Sequence, residues 1–356
     1  MNTFGTRLKF TSFGESHALA IGGVIDGLPA GIKIDFDFLQ NELDRRRPGK
    51  NKFSTARDEA DKIEIFSGVF NGFSTGTPIG FAIFNQNQKS NDYENLREIF
   101  RPAHADFTYF SKFGIRDHRG GGRASARETA VRVACGAFAQ MLLNEFDISV
   151  KSGVFSVGSV VCDSFDFDLA LNSEIFSLGK EDEMKALIMK ARGEHDSVGA
   201  GVLSVASGVL KGLGEVLYDR LDARLAAALM GINGVKAVEI GEGVRASQLF
   251  GSQNNDEMDK NGFLSNHAGG ILGGISTGQD IVLRSYFKPT PSIFKPQRTL
   301  NLNGESVSFE LRGRHDPCIG VRGSVVATAM IRLVLADMLL LNLSSNINTI
   351  KKAYAK

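Results

Sequence analysis

Apolar residues recur at helical spacing in several stretches of this 356-residue chain and alternate as in strands elsewhere. "IDFDFLQNELDRRR" (34–47) spaces Phe36, Leu39 and Leu43 three and four apart, which predicts a helix ending in a run of arginines and stopped by Pro48 and Gly49. "KIEIFSGVF" (62–70) and "IGFAIFN" (79–85) flank a glycine-rich turn and predict a hairpin. "EVLYDRLDARLAAALMGI" (215–232) reads as a helix followed by the strand "GVKAVEIG". Val131, Ala134, Phe138, Met141 and Leu142 predict a further helix, and Ser125 with Glu128 three residues on has the spacing of its capping box. The most apolar run, "VVATAMIRLVLADMLLLNL", is broken by Arg332 and Asp337, so it reads as a core helix and not as a membrane span. These elements do not alternate as βαβ units. The expectation is an α+β fold without repeats or an obvious linker, taken as a single domain over 1–356.

Composition narrows the class. With 42% hydrophobic and 23% charged residues the chain can bury a large core. Its 41 basic and 40 acidic residues leave a formal charge of +1, which argues against a general polyanion binder and so against a nucleic-acid partner. Cys135, Cys162 and Cys318 are odd in number and far apart, which fits neither a disulfide framework nor a zinc site and suits a reducing compartment. "MNTFGTRLKFTSFGESH" lacks the apolar core of a signal peptide, and a cytoplasmic location is expected.

Within that neutral background, arginines are concentrated. "RDHRGGGRASARETAVRVACGAF" (116–138) sets Arg116, Arg119, Arg123 and Arg127 around three consecutive glycines, where a backbone can approach a ligand closely. Arg45, Arg46 and Arg47 close the first predicted helix, where the helix dipole alone would favour cations. "LRGRHDPCIGVRG" places Arg312, Arg314 and Arg322 around His315 and Asp316. Three separated clusters in a neutral protein imply an internal basic pocket for a small, multiply anionic ligand. His17 beside Ser16, and His104 in "RPAHADFTY", lie in loop-like settings. A positive field keeps such histidines neutral until an anionic ligand raises their pKa and makes them proton donors. No cluster has metal-ligand spacing.

Three long motifs, "GESHALAIGGVIDGLPAG" (14–31), "GGRASARETAVRVACGAF" (121–138) and "RHDPCIGVRG" (314–323), resemble those of the chorismate synthases. "LDRRRPG", "RPAHADFTY", "NHAGGILGGISTGQDI" and "KPTPS" support the resemblance in the family's order. It implies a β-α-β sandwich, usually a homotetramer, that converts 5-enolpyruvylshikimate 3-phosphate to chorismate by 1,4-elimination of phosphate. It also implies a need for reduced FMN without net redox change, supplied by an external reductant in the monofunctional type that the chain length favours. Phosphates and carboxylates on substrate and flavin would account for the arginines.

By the same resemblance, the flavin contacts fall on Arg123, Ala124, Ser125, Asn233, Gly234, Gly273, Lys288, Pro289, Thr290, Pro291, Ser292 and Arg314. Substrate or NADP contacts fall on Arg46 and Lys52, with Arg45, Arg127 and Arg322 added from the clusters. His17 would assist the departing phosphate, His104 would protonate the reduced flavin, and Asp316 with the flavin N5 would relay the C6 proton, helped by Ser16 and Ser125. Lys52 stands where arginine is common, which removes a bidentate fork; Ala124, Phe107 and Thr328 replace a common serine, tyrosine and glutamate. The clusters alone leave a flavin-dependent oxidoreductase or a nucleic-acid-binding module open, and the motif set argues against both.

Overall fold

The computed structural model describes residues 2–49, 52–54, 60–86, 96–311 and 315–355. Two five-stranded antiparallel sheets enclose a layer of helices. The first sheet runs Thr3–Phe4, Lys9–Gly14, Ala20–Asp26, Ile79–Phe84 and Ile63–Ile65 in spatial order. The second runs Val235–Ile240, Ile281–Phe287, Ala200–Ser207, Ser149–Val157 and Val160–Val161. Helices Phe36–Arg46, Thr129–Asn144, Leu221–Met230 and Gly320–Asn342 contribute to the core between them, giving the expected α+β sandwich.

The helix expected near the N-terminus spans Phe36–Arg46, capped by the Asp35 carboxylate on the Phe38 amide at 2.8 Å. Its buried residues are Leu39, Glu42, Leu43 and Arg46, so the last arginine lies in line with the apolar Leu39 and Leu43. Residues 62–70 are not one strand: Ile63–Ile65 pairs with Ile79–Phe84, while Val69–Phe70 and Phe73–Ser74 form a separate small hairpin between them. The helix expected over 215–232 is shorter, Leu221–Met230, and the strand after it forms as Val235–Ile240.

The capping box at Ser125 does not form. A 3₁₀ turn, Ala126–Glu128, precedes helix Thr129–Asn144, so the Ser125 hydroxyl reaches the Arg127 amide at 3.3 Å. Glu128 is buried and turns inward, accepting from Ser12 Oγ at 3.1 Å and Arg132 Nε at 2.9 Å.

Gly320–Asn342 is the one helix among the described residues long and apolar enough to cross a membrane, and 89% of its apolar window is buried inside the protein. The two charged residues that interrupt its apolar run, Arg332 and Asp337, are structural. Asp337 accepts from the amides of Thr6, Arg7 and Leu8 at 2.8, 2.6 and 2.8 Å, fixing the turn between the first two strands, and Arg332 pairs with Glu42. The helix crosses Thr129–Asn144 at Gly136, where a Cβ would lie 2.5 Å from the Ala329 Cβ. Gly136→Ala should therefore destabilise the fold by about 1–3 kcal/mol through overpacking, and Ala329→Gly in the same chain should recover part of that loss. Urea-unfolding midpoints of the two single variants and the double variant check this coupling.

Candidate active site

A cavity of about 780 Å³ is bordered by residues from all three arginine-bearing regions. Its charged floor is built around Asp61, only 2% exposed, whose carboxylate pairs with both Arg46 and Arg127. Arg46 comes from the end of its helix and also donates to the Ala126 carbonyl at 3.2 Å; Arg127 adds a bond from Nε to Asn85 Oδ1 at 2.9 Å. Burial alone would raise the Asp61 pKa, but the two guanidiniums outweigh it and hold the group below its ordinary value. Burial likewise lowers Arg46 to about 10, with Arg322 and Arg127 pushing the same way and Asp61 opposing. Two cations against one anion leave a local excess of one positive charge.

Several polar atoms of the wall residues are buried and lack a hydrogen-bond partner: Arg46 Nε, Arg127 Nη2, Thr290 Oγ1 and Arg322 Nε. Each such donor costs about 1–3 kcal/mol when left unsatisfied, so the wall favours an oxygen-rich anion.

The opposite wall holds His104, whose Nε2 lies 3.1 Å from Ser292 Oγ. The preceding turn is fixed by Asp106, which accepts from the Arg101 amide at 3.0 Å and from Arg101 Nε and Nη2 at 2.8 Å each, and pairs with Arg116 at 2.9 Å. Lys288 donates to the Ala103 carbonyl at 3.0 Å. Burial lowers the His104 pKa to about 3, helped by Arg101, His315 and Lys288 against Asp106. The imidazole is therefore neutral at physiological pH, chiefly because it is buried, with the positive surroundings expected from the sequence adding to the shift.

His17 shares a hydrogen bond between its Nδ1 and Ser16 Oγ at 2.9 Å. Gly120 packs directly on its ring: a Cβ there would sit 2.1 Å from Nδ1. That glycine serves the histidine, whereas the sequence suggested only close approach to a ligand. Asp316 pairs with Arg322.

The cavity thus brings together His17, Arg46, His104, Arg123, Ala124, Ser125, Arg127, Asn233, Gly234, Lys288–Ser292, Asp316 and Arg322, with Ser16 behind His17. Arg123 borders it while its guanidinium binds back to the first sheet, donating to Ser12 Oγ at 2.6 Å. Asn233 Nδ2 ties its turn to the Ala124 carbonyl at 2.7 Å. Besides Ser16, three expected residues among those described are not in the walls. Arg45 points away from Arg46 because neighbouring helical positions face different directions, and it pairs with Glu42 at 2.7 Å. Lys52 lies over Phe53 at 5.4 Å, with its carbonyl bound by Arg192. Gly273 sits between the short strands Ile271–Leu272 and Ile275–Ser276. Arg314, and Arg312 beside it, lie outside the described residues. Of the arginines around the three glycines, Arg119 is spent on an exposed pair with Asp117 and Arg116 on Asp106.

The sequence reading missed Asp61, Arg101 and Asp106. Asp61 lies in the charge-rich stretch "ARDEADK", which reads as a solvated face, and only the need of a buried Arg46 for a carboxylate pointed to it. Among the described residues, no group of three or more His, Cys, Asp and Glu could hold a metal ion.

Comparison with known proteins gives one result. The family described as chorismate synthase matches residues 8–340. The chorismate synthase of Campylobacter curvus (strain 525.92) is 77% identical over 99% of this chain and all of its own length, and that of Campylobacter fetus subsp. fetus (strain 82-40) is 65% identical over the whole of both. A solved structure titled "Crystal Structure of Chorismate Synthase" has a TM-score of 0.78 at 31% identity, covering 99% of this chain and 97% of the other.

The His104 environment makes a pH prediction. The unfolded chain binds a proton on this ring near 6.5 and the folded protein only near 3, so this group's contribution is complete above about 6.5 and is lost as pH falls toward 3. Between pH 7.5 and pH 5, His104→Asn should lose about 2 kcal/mol less unfolding free energy than the parent. Urea titrations at the two pH values measure the difference.

Proposed function

The chain belongs to the chorismate synthase family, and on that premise we propose that the arginine-walled cavity is where it acts as a phosphate lyase on 5-enolpyruvylshikimate 3-phosphate, with reduced FMN bound beside the substrate. The observation that carries this reading is the Arg46–Asp61–Arg127 triad, whose surplus positive charge and unsatisfied buried donors suit a phosphate- and carboxylate-bearing substrate.

Lys288–Ser292, Asn233, Gly234 and Ala124–Ser125 are the residues proposed to hold the flavin. The fit rests on the unsatisfied Thr290 hydroxyl and on the open face of Gly234, where φ is +90° and a Cβ would come no closer than 3.6 Å to other atoms. When bound, reduced FMN supplies transient electron density to an elimination that has no net redox change.

The protein's own groups divide the remaining work. Arg46, Arg127 and Arg322 stabilise the charge that develops on the leaving phosphate, where fixed cations in a water-poor site act most strongly. His17, oriented by Ser16 and backed by Gly120, passes a proton to that phosphate. Asp316, held by Arg322, takes the C6 proton. His104 enters neutral, and the negative charge of the bound ligands raises its pKa so that it can carry a proton at Nε2 near Ser292. A homotetramer in the cytoplasm, with an external flavin reductant, completes the proposal, and 1–356 is treated as a single domain.

Two measurements test it. In an anaerobic assay with photoreduced FMN, many chorismates should form per flavin; one product per flavin consumed would identify an oxidoreductase instead. Gly120→Ala should drive the His17 ring out of place and lower turnover about 10²–10⁴-fold, as His17→Ala should, while leaving flavin affinity unchanged. Normal turnover in Gly120→Ala would remove His17 from the proton path.

A further inference from the structure

A second cavity, about 730 Å³, opens on the other side of helix Phe36–Arg46. It has the same electrostatic plan as the first. Glu42, 4% exposed, lies between Arg45 at 2.7 Å and Arg332, so two cations again share one buried carboxylate and leave one positive charge over. Of the other charged wall residues, Lys151 faces Asp168 at 3.5 Å, and Glu174 pairs at 2.7 Å with Lys185, which Glu181 shares at 2.7 Å.

Two further observations point to a ligand. Arg332 and Gln140, only 6% and 5% exposed, line the cavity, and each has a buried atom without a partner, Nε and Oε1 respectively. Three phenylalanines, Phe38, Phe167 and Phe176, stand in the wall among serines, Asn144, Thr328 and aliphatic side chains. The Arg332 guanidinium lies 5.5 Å from the Phe38 ring centroid and that of Arg45 5.4 Å from that of Phe176, so each cation sits over a ring. Inorganic phosphate would leave the phenylalanines without a partner, and a neutral arene would leave the charge without one.

We propose that this second cavity binds a small aromatic carboxylate, its carboxylate against the Arg45–Glu42–Arg332 charge surplus and its ring among Phe38, Phe167 and Phe176. The cavity volume falls within the range of small-molecule sites.

Isothermal titration of the full chain with phenylacetate, in saturating inorganic phosphate to occupy the first cavity, tests the site. One phenylacetate per chain should bind, while acetate and benzyl alcohol should bind at least about tenfold more weakly. Leu171→Trp, a change at an exposed position on the cavity wall, should abolish binding without altering the urea midpoint. Absence of phenylacetate binding, binding eliminated by phosphate, or binding unchanged in Leu171→Trp would each overturn the assignment.

Discussion

The buried carboxylate of Asp61, held between Arg46 and Arg127, is the constraint on which the rest of the site depends. Either guanidinium alone at that depth would carry a large desolvation penalty, and the two together would repel. One shared anion makes both tolerable and leaves a single uncompensated charge at the cavity floor. The arrangement also joins three parts of the fold: the end of helix Phe36–Arg46, the segment before the first sheet's edge strand, and the 3₁₀ turn that leads into Thr129–Asn144.

The two histidines are held by other groups. Ser16 and Gly120 fix His17, and Ser292 with the Arg101–Asp106 clamp fixes His104, whose pKa is lowered first by burial and then by Arg101, His315 and Lys288. In the proposed mechanism binding and proton supply are linked: the ligand that needs the proton would also bring the negative charge that lets the imidazole carry it. The scaffold contributes rigidity through the close crossing at Gly136 and the Asp337 anchor on the N-terminal turn.

Much of this was legible in the sequence, for physical reasons. Leu39, Leu43 and the apolar run ending in "LLLNL" predicted helices, and the clustering of arginines in a neutral chain pointed to the cavity that Arg46, Arg127 and Arg322 border. The same 3.6-residue period already separated Arg46, in line with Leu39 and Leu43, from Arg45, yet reading the cluster as a unit assigned both to the substrate. Asp61 was hidden because local composition cannot tell a buried carboxylate from a solvated one when its partners lie 15 and 66 residues away. The Ser125 capping box failed for a related reason: Glu128 found Ser12 across the sheet, a tertiary contact that local spacing does not encode.

The central claim is that Asp61 both stabilises two buried arginines and limits their excess charge, and Asp61→Asn tests it most directly. Thermal unfolding of this variant and the parent should be followed across an inorganic phosphate titration. The account predicts that the variant loses about 3–5 kcal/mol of stability without phosphate, binds phosphate more tightly than the parent, and recovers much of the loss as phosphate fills the place of the missing carboxylate. A variant that is as stable as the parent, or whose unfolding responds to phosphate no more than the parent's does, would contradict it.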